Sequence, residues 1–284
     1  MLVSVLLADD PAAKHMFRII ATVAPDRILV IASVERTGST LLCSVLRATG
    51  VAGNPIEYAN IHTRNFLRLA DDLGVPRIRT GRRTIGRVRR AVGRYPWRNV
   101  SWFEDGTFGD YLRAVAASNA TPNGVFGIKV HWNQYRQHLL DLGFDAGSWG
   151  APVSWVRLTR RNEVAQAVSF VRASQTRSWN SNMSVRADAT YDADAIEAAL
   201  VRIADENANW DRYLNDIGAS PLHATFEELI GDLDSTVRRI LSSVGAEAAD
   251  IPAPTTEKQS GSSSREWIER FLAERPQHQH RAGG

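Results

Sequence analysis

The stretch 27–58 constrains the fold of this chain more than any other part of the sequence. It opens with a short apolar run at residues 28–32, whose length and β-branched content are typical of a buried central strand. A hydroxyl-rich turn follows at residues 33–40, and an apolar stripe then predicts a helix that ends near Gly50. A strand, a tight turn and a helix in this order direct backbone N–H groups and the positive end of the helix dipole at one point. Such a point binds phosphate or sulfate.

The turn supplies five candidate anion ligands: Arg36, Thr37, Gly38, Ser39 and Thr40. Gly38 lets the backbone approach an anion closely, and Arg36 adds a full charge with several N–H donors. The turn lacks the G-x-x-x-x-G-K-[ST] pattern, so it does not predict a loop for a magnesium-bound triphosphate. The alternative is an ordinary strand–turn–helix unit whose Ser and Thr side chains cap the helix.

Composition limits the class of protein. With 284 residues, 44% apolar and 23% charged, the chain fits a soluble α/β protein of one large or two small domains. The apolar run at the N-terminus has no preceding basic residue and is interrupted by Asp9, so it predicts neither a signal peptide nor a membrane span. We therefore expect a cytoplasmic location. Cys43 is the single cysteine, which excludes a disulfide framework and predicts a buried structural thiol.

A basic segment lies between Leu73 and Phe103, where nine arginines and no acidic residue occur. Without these arginines the net charge of +3 becomes −6, so the basic character is local. The arginines are Arg77, Arg79, Arg82, Arg83, Arg87, Arg89, Arg90, Arg94 and Arg98. Of three interpretations of this segment, we favour a solvated basic face, followed by a binding surface for an anionic acceptor or a membrane. Nucleic-acid binding comes third, because aromatic residues are sparse and no nucleic-acid motif accompanies the segment.

The second predicted strand, at residues 125–130, contains a lysine in an otherwise apolar run. Lys129 is either at an exposed end of the strand or kept for an anion. His131 follows at the carboxyl end of the strand, where α/β proteins form their sites. Its position is as consistent with a structural histidine as with a catalytic one.

The third predicted strand, at residues 152–159, runs into the paired arginines Arg160 and Arg161 and a helix that contains Ser169. Two basic turns in one chain suit a ligand with two separate phosphate groups. Glu57 follows the first helix, where loops of an open α/β sheet border the ligand crevice. A ligand-facing carboxylate and a surface carboxylate fit that position equally well.

These units together predict an α/β fold with a central, mostly parallel sheet flanked by helices. We predict an N-terminal extension at residues 1–26 and one domain at 27–273, with an arginine-rich insertion at about 73–103. Residues 274–284 are predicted to form a flexible tail.

Several motifs together resemble the bacterial Stf0 family of sulfotransferases, whose best-known activity is sulfation of trehalose at the 2-position. The matching stretches are 35–42, 46–50, Gly53, 55–57, 121–124, 127–129, 132–134, 160–161, 166–170, 175–176 and Trp179, and more loosely 257–259 and 266–267. They occur in the order of the family and cover roughly residues 27–273.

The resemblance implies a P-loop-like sulfotransferase fold and 3′-phosphoadenosine 5′-phosphosulfate (PAPS) as the donor. It implies that the turn 36–40 holds the 5′-phosphosulfate. It also implies that Arg160 or Arg161, together with Ser169, holds the 3′-phosphate, and it adds Lys258 as a further donor-binding candidate.

The resemblance further implies the chemistry of the site. Glu57 matches the carboxylate proposed as general base in the family, and it would take the proton of the acceptor hydroxyl. Arg36 and Lys129 would stabilise charge on the leaving phosphate. The scheme needs no metal, and the family suggests a homodimer.

The acceptor is expected to differ from free trehalose. Asn54 stands where trehalose-sulfating members tend to have an acid, and His131 and the arginine-rich segment also depart from that subgroup. We therefore predict that the acceptor is a glycolipid, a lipopolysaccharide-type saccharide or a glycosylated natural product, and that it can be anionic. The protein can contact a membrane surface, and we expect no nucleic-acid partner. The candidate acceptor-binding residues are Asn54, His131, Asn133 and Trp179.

Two alternative functions stay open beside the sulfotransferase. A P-loop-like small-molecule kinase would depend on ATP and magnesium, and the missing G-K-[ST] pattern opposes it. A non-catalytic nucleotide or nucleic-acid binding protein would use the arginine-rich segment and would not need Glu57.

Overall fold

A computed structural model of the chain describes residues 24–61, 63–73, 107–179, 187–254 and 262–283. The predictions for most of the N-terminal extension, for the arginine-rich segment 77–98 and for Lys258 lie outside these residues.

Parallel strands form a sheet at the centre of the described part of the chain. They are β1 (Arg27–Ser33), β2 (Val125–His131), β3 (Val153–Thr159) and β4 (Leu222–Thr225), in the spatial order β2-β1-β3-β4. Each neighbouring pair is parallel, which confirms the predicted α/β fold with a parallel sheet. The strand order reverses at β1, because β2 lies on one side of it and β3 on the other. Open α/β sheets bind ligands outside the carboxyl ends of the strands at such a point.

Helices cover both faces of this sheet. In chain order they are α1 (Ser39–Ala48), α2 (Arg64–Asp72), α3 (Thr107–Asn119), α4 (Trp132–His138), α5 (Glu163–Thr176), α6 (Ala193–Asp216), α7 (Phe226–Gly231), α8 (Leu233–Ser243) and α9 (Ser262–Glu274), with short 3-10 helices at Leu140–Leu142, Ala146–Trp149 and Pro276–Arg281. Asn162 begins α5 by accepting a hydrogen bond from the amide of Ala165 at 2.8 Å. None of the described helices is long and apolar enough to cross a membrane.

Side chains of β1 alternate between two apolar cores, one on each face of the sheet. Ile28 and Val30 contribute to a core that includes Trp210 of α6. Leu29 and Ile31 contribute to a second core, with residues of α1 and α8. All four β1 side chains are at most 1% exposed. Burial on both faces explains the continuous apolar run of this strand, and it leaves the carboxyl end of the sheet for polar groups.

The C-terminal residues, for which the sequence predicts a flexible tail at 274–284, contain a short helix and a contact with the body of the chain. Pro276–Arg281 form a 3-10 helix, and the Arg281 guanidinium donates a hydrogen bond to the Glu163 carboxylate at 2.6 Å. This contact joins the C-terminal residues to the start of α5. The two residues are far apart in the sequence, so the polar composition of the C-terminal residues gave no sign of the contact. The domain limits stay a prediction.

Candidate active site

The turn between β1 and α1 has a tightly wound backbone. Arg36 and Gly38 both have a positive φ, of 68° and 79°. The Thr37 hydroxyl donates a hydrogen bond to the Val34 carbonyl at 3.0 Å. A side chain at position 38 would bring its Cβ to 2.4 Å from Cδ2 of Phe226, so glycine is required there.

The N-terminus of α1 opens on this turn. Gly38 is its N-cap residue, and within the described residues no side chain forms a capping hydrogen bond with this helix. Because the N-cap residue is Gly38, no Ser or Thr side chain of the turn occupies the capping position. The backbone N–H groups of the first helical turn are left for an anion.

Arg36 joins this turn to α5. Its Nε donates a hydrogen bond to the Ser169 hydroxyl at 2.9 Å, and its Nη1 donates to the Trp179 carbonyl. Arg160 donates to the Arg36 carbonyl at 3.4 Å. Burial, and then the charge of Arg160, lower the pKa of Arg36 to about 10. Two guanidinium groups this close repel each other, and a bound anion would relieve that repulsion.

The paired arginines after β3 point in different directions. The Arg160 guanidinium lies 4.7 Å from the centroid of the Phe226 ring. Its Nε is buried and has no hydrogen-bond partner within the described part of the chain. Arg161 is exposed and donates to the Glu228 carboxylate at 3.3 Å. Arg160 is therefore the arginine beside Arg36, and Arg161 lies on the outer rim of the same turn.

Glu57 lies beside Lys129 because its loop joins the edge of the sheet. Ile56 forms a parallel bridge with Ile128 of β2, and the Lys129 amide donates to the Ile56 carbonyl at 3.0 Å. The Glu57 Oε1 and Lys129 Nζ atoms are 2.7 Å apart. Lys129 is 6% exposed, and its Nζ also donates to the Thr40 hydroxyl at 3.2 Å. One buried ammonium group thus connects the turn between β1 and α1 with the Glu57 carboxylate.

Two amide groups hold the other oxygen of Glu57. Oε2 accepts hydrogen bonds from Asn60 Nδ2 at 2.7 Å and from Gln134 Nε2 at 2.9 Å. Burial alone would raise the pKa of Glu57, but the charge of Lys129 and the nearby His131 outweigh burial and hold the pKa well below 4.5. The carboxylate is therefore ionised at neutral pH.

His131 is buried at the end of β2, next to Glu57. It pairs in register with Ser33 of β1, and its Nδ1 is 3.0 Å from the Ser33 hydroxyl. Its Nε2 is 3.6 Å from Oε1 of Glu57, which is beyond hydrogen-bond distance. Both ring nitrogens face protein groups. This geometry favours a role through Glu57 over the predicted direct contact with the acceptor.

The other predicted acceptor-binding residues lie on different elements around the site. Asn133 donates to Oε1 of Glu35 at 3.2 Å. The Trp179 side chain is exposed, and its ring lies 5.7 Å from the ring of Phe170. Asn54, three residues before Glu57 in the same loop, has a buried side-chain oxygen without a partner among the described residues.

Sequence reasoning assigned no role to several polar residues that hold this site together. Gln134 lies in the matched motif 132–134, which could have indicated it, whereas Asn60 and Ser33 carry no such signal. Arg202 on α6 donates to Glu35 at 2.7 Å, and nothing in the pattern of that amphipathic helix marks it.

Buried polar atoms without a partner concentrate around this site. Six such side-chain atoms occur within the described residues. Five of them belong to the turn after β1, to the turn after β3, to the Glu57 loop or to side chains in the hydrogen-bond network around Glu35. These five are Glu35 Oε2, Asn54 Oδ1, Arg160 Nε, Gln166 Oε1 and Glu206 Oε2. Because buried polar groups in proteins are nearly always paired, this concentration indicates a ligand site.

Comparison with known proteins gives consistent matches over the whole site. The family model described as Stf0 sulphotransferase matches residues 28–274. A trehalose 2-sulfotransferase of Mycolicibacterium smegmatis is 31% identical over 280 residues, which cover 87% of this chain and 94% of the relative. A trehalose 2-sulfotransferase of Mycobacterium tuberculosis is 29% identical over 283 residues, which cover 88% and 96%. The crystal structure of a sulfotransferase from Alicyclobacillus acidocaldarius is 16% identical and covers 89% of this chain and 92% of its own, but its TM-score of 0.44 is too low to support a structural argument.

Proposed function

The chain belongs to the Stf0 sulphotransferase family, and we propose that it transfers a sulfuryl group from PAPS to a hydroxyl group of a carbohydrate or glycoconjugate. The observation that carries this proposal is the position of Lys129, whose ammonium group contacts both Thr40 in the anion-binding turn and Glu57. Such an arrangement brings a donor site and a base together at one side chain, which direct transfer to a hydroxyl requires.

The turn 36–40 would hold the phosphosulfate end of the donor. The uncapped N-terminus of α1 and the charge of Arg36 support this assignment. PAPS supplies a sulfuryl group on a phosphate leaving group, and its ribose carries a second phosphate. Arg160 or Arg161, with Ser169, would hold that second phosphate, and the buried, unpaired Nε of Arg160 is a donor that suits an anion. Lys258 stays a proposed donor contact on the family resemblance alone.

Glu57 would accept the proton of the acceptor hydroxyl. Its depressed pKa keeps it ionised but makes it a weak base. A weak base suffices if the hydroxyl becomes strongly acidic as its oxygen bonds to sulfur, as in transfers with a loose transition state. Arg36 and Lys129 would stabilise the charge that develops on the leaving phosphate. This scheme uses no metal.

A saccharide acceptor is supported by the two relatives named as trehalose 2-sulfotransferases. The exposed ring of Trp179 offers a face on which a sugar ring can stack. Asn54 and Asn133 offer amide groups to sugar hydroxyls. The preference for an anionic glycoconjugate over free trehalose stays a prediction, because the arginine-rich segment 77–98 that motivates it lies outside the described residues.

Transfer of ³⁵S from labelled PAPS tests the proposed function. Trehalose and an anionic glycolipid serve as acceptors, and labelled product is expected with at least one of them. We expect Glu57→Gln to lower the rate by at least about 100-fold, because it removes the base. Exposed Glu247 provides the matched control, and Glu247→Gln should retain wild-type transfer. Absence of transfer to any carbohydrate would refute the function, and an active Glu57→Gln variant would refute the role of the base.

A further inference from the structure

The contacts of Glu57 leave one side of its carboxylate open. Oε2 receives both amide donors, from Asn60 and Gln134. Oε1 receives Lys129 at 2.7 Å, whereas Nε2 of His131 stays 3.6 Å from the same atom. A carboxylate oxygen has two lone-pair sites, and Oε1 has only one close donor among the described residues, because Nε2 of His131 is 0.9 Å farther away than Nζ of Lys129. Oε1 is therefore the oxygen that can accept a proton.

Ser33 determines how the His131 ring is oriented. Its hydroxyl lies 3.0 Å from Nδ1, and both side chains are at most 5% exposed. The Ser33 carbonyl accepts a hydrogen bond from Trp210 Nε1 at 2.9 Å, which fixes the end of β1. If Nδ1–H donates to the Ser33 hydroxyl, Nε2 faces Glu57 without a proton. The 3.6 Å distance fits this tautomer, because an N–H donor would approach a carboxylate to about 2.8 Å.

Carboxylates from three different elements lie within electrostatic range of the His131 ring. They come from the loop after α1, from the turn after β1 and from α6, and all three lie close enough for a positive charge on the ring to favour their ionised forms. The charged groups that face the ring or pair with these carboxylates are Glu35, Glu57, Glu206, Lys129 and Arg202.

We propose that His131 is a positioning residue that acts through Glu57 and takes from it the proton of the acceptor hydroxyl. The inference rests on the function proposed above. As the acceptor oxygen bonds to sulfur, the bond between sulfur and the phosphate oxygen breaks, and its electron pair stays on the phosphate. The acceptor proton passes to Oε1 of Glu57 and then to Nε2 of His131, which becomes an imidazolium and later loses the proton to solvent.

Basicity favours the second of these proton transfers. The contacts of Glu57 hold its pKa well below 4.5, so its carboxyl group gives up an added proton readily. Glu57 therefore returns to its ionised form as soon as the ring accepts the proton. The aliphatic and amide neighbours of Glu57 could not serve as acceptors in this way.

Nuclear magnetic resonance of protein labelled with ¹⁵N-histidine tests this inference without an acceptor. Long-range ¹H–¹⁵N spectra distinguish the two neutral tautomers and the imidazolium, and His131→Gln identifies the signal of His131. At about pH 8, with 3′-phosphoadenosine 5′-phosphate bound, we expect a neutral ring with its proton on Nδ1. Ser33→Ala should move that proton toward Nε2. A wild-type ring that carries its proton on Nε2, or that is doubly protonated at this pH, would overturn the inference.

Turnover of PAPS with the acceptor that reacts faster in the ³⁵S assay separates this inference from the proposed function. We expect His131→Gln to lower kcat about 10- to 100-fold, to leave the KM for PAPS unchanged and to remove the acid limb of the wild-type pH profile. His223 is exposed on β4, and His223→Gln is the control that should retain wild-type kinetics. An unchanged kcat and pH profile in His131→Gln, beside an inactive Glu57→Gln, would refute the proton transfer to His131 alone. An active Glu57→Gln would instead refute Glu57 as the base through which His131 acts, and absence of transfer by the wild type would refute the proposed function.

Discussion

Replacement of Lys129 by methionine removes the charge that keeps Glu57 ionised and retains a side chain of similar length. The Nζ and Oε1 atoms are 2.7 Å apart, and the two side chains are 8% and 24% exposed. At an effective dielectric constant of 20, charges at this distance attract each other by about 6 kcal/mol. Desolvation offsets part of this attraction, and loss of one partner from a buried pair costs about 3–5 kcal/mol. Because Glu57 is partly exposed, we expect a loss of about 3 kcal/mol in the free energy of unfolding at neutral pH.

The loss of stability in Lys129→Met should depend on pH. In the wild type the depressed pKa of Glu57 stabilises the fold above the unfolded pKa, and this contribution is lost as pH falls through the folded pKa. In the variant burial is no longer opposed by Lys129, so the pKa of Glu57 rises and its carboxylate destabilises the fold at neutral pH. The difference between wild type and variant is therefore largest near neutral pH and shrinks in acid.

Urea unfolding followed by tryptophan fluorescence measures this difference between about pH 4.5 and pH 7.5. Glu57→Gln and the double variant complete a double-mutant cycle. We expect the double variant to be less destabilised than the sum of the two single variants, because the neutral amide that replaces the Glu57 carboxylate needs no cation. A loss that is independent of pH, or strict additivity in the cycle, would refute the ion-pair reasoning.

Three further predictions concern the turn, the thiol and the acceptor. Gly38→Ala places a Cβ atom 2.4 Å from Phe226 at a φ of 79°, so calorimetry should show about tenfold weaker binding of 3′-phosphoadenosine 5′-phosphate. Gly50→Ala, at a φ of 71° with no atom within 4 Å, should bind like the wild type, and equal affinities in all three proteins would contradict the steric argument. Burial raises the pKa of Cys43 to about 12, so iodoacetamide should not modify the folded protein at neutral pH, and a mass shift without denaturant would contradict this. Anionic glycolipids should be sulfated faster than free trehalose at equal concentration in the ³⁵S assay, and equal or faster transfer to trehalose would disprove that preference.

The strands and the tight turn between β1 and α1 could be predicted from the sequence because they depend on local patterns. β1 is buried on both faces, so it is a continuous apolar run with polar residues directly after it. The turn needs a glycine at position 38, where φ is positive and Phe226 approaches closely. The cap at Asn162 is equally local, since it accepts from an amide three residues later.

The arrangement of the candidate site depends on long-range contacts that no local pattern contains. Glu57 reaches Lys129 only because Ile56 bridges Ile128 at the edge of the sheet. His131 meets Ser33 because parallel strands place their last residues in register. The different directions of Arg160 and Arg161 likewise follow from Phe226 and Glu228, which are distant in sequence. The sequence could therefore suggest candidate residues but not the partners that these residues contact.

Calorimetric titration with 3′-phosphoadenosine 5′-phosphate tests the central claim of a PAPS-dependent sulfotransferase most directly. The titration is carried out on the wild type and on Arg36→Ala, with ATP and magnesium as the competing ligand. The account predicts tight binding of the bisphosphate to the wild type, much weaker binding to Arg36→Ala and little binding of ATP with magnesium. Binding of the bisphosphate that is undetectable, or unaffected by Arg36→Ala, or weaker than that of ATP with magnesium would contradict it.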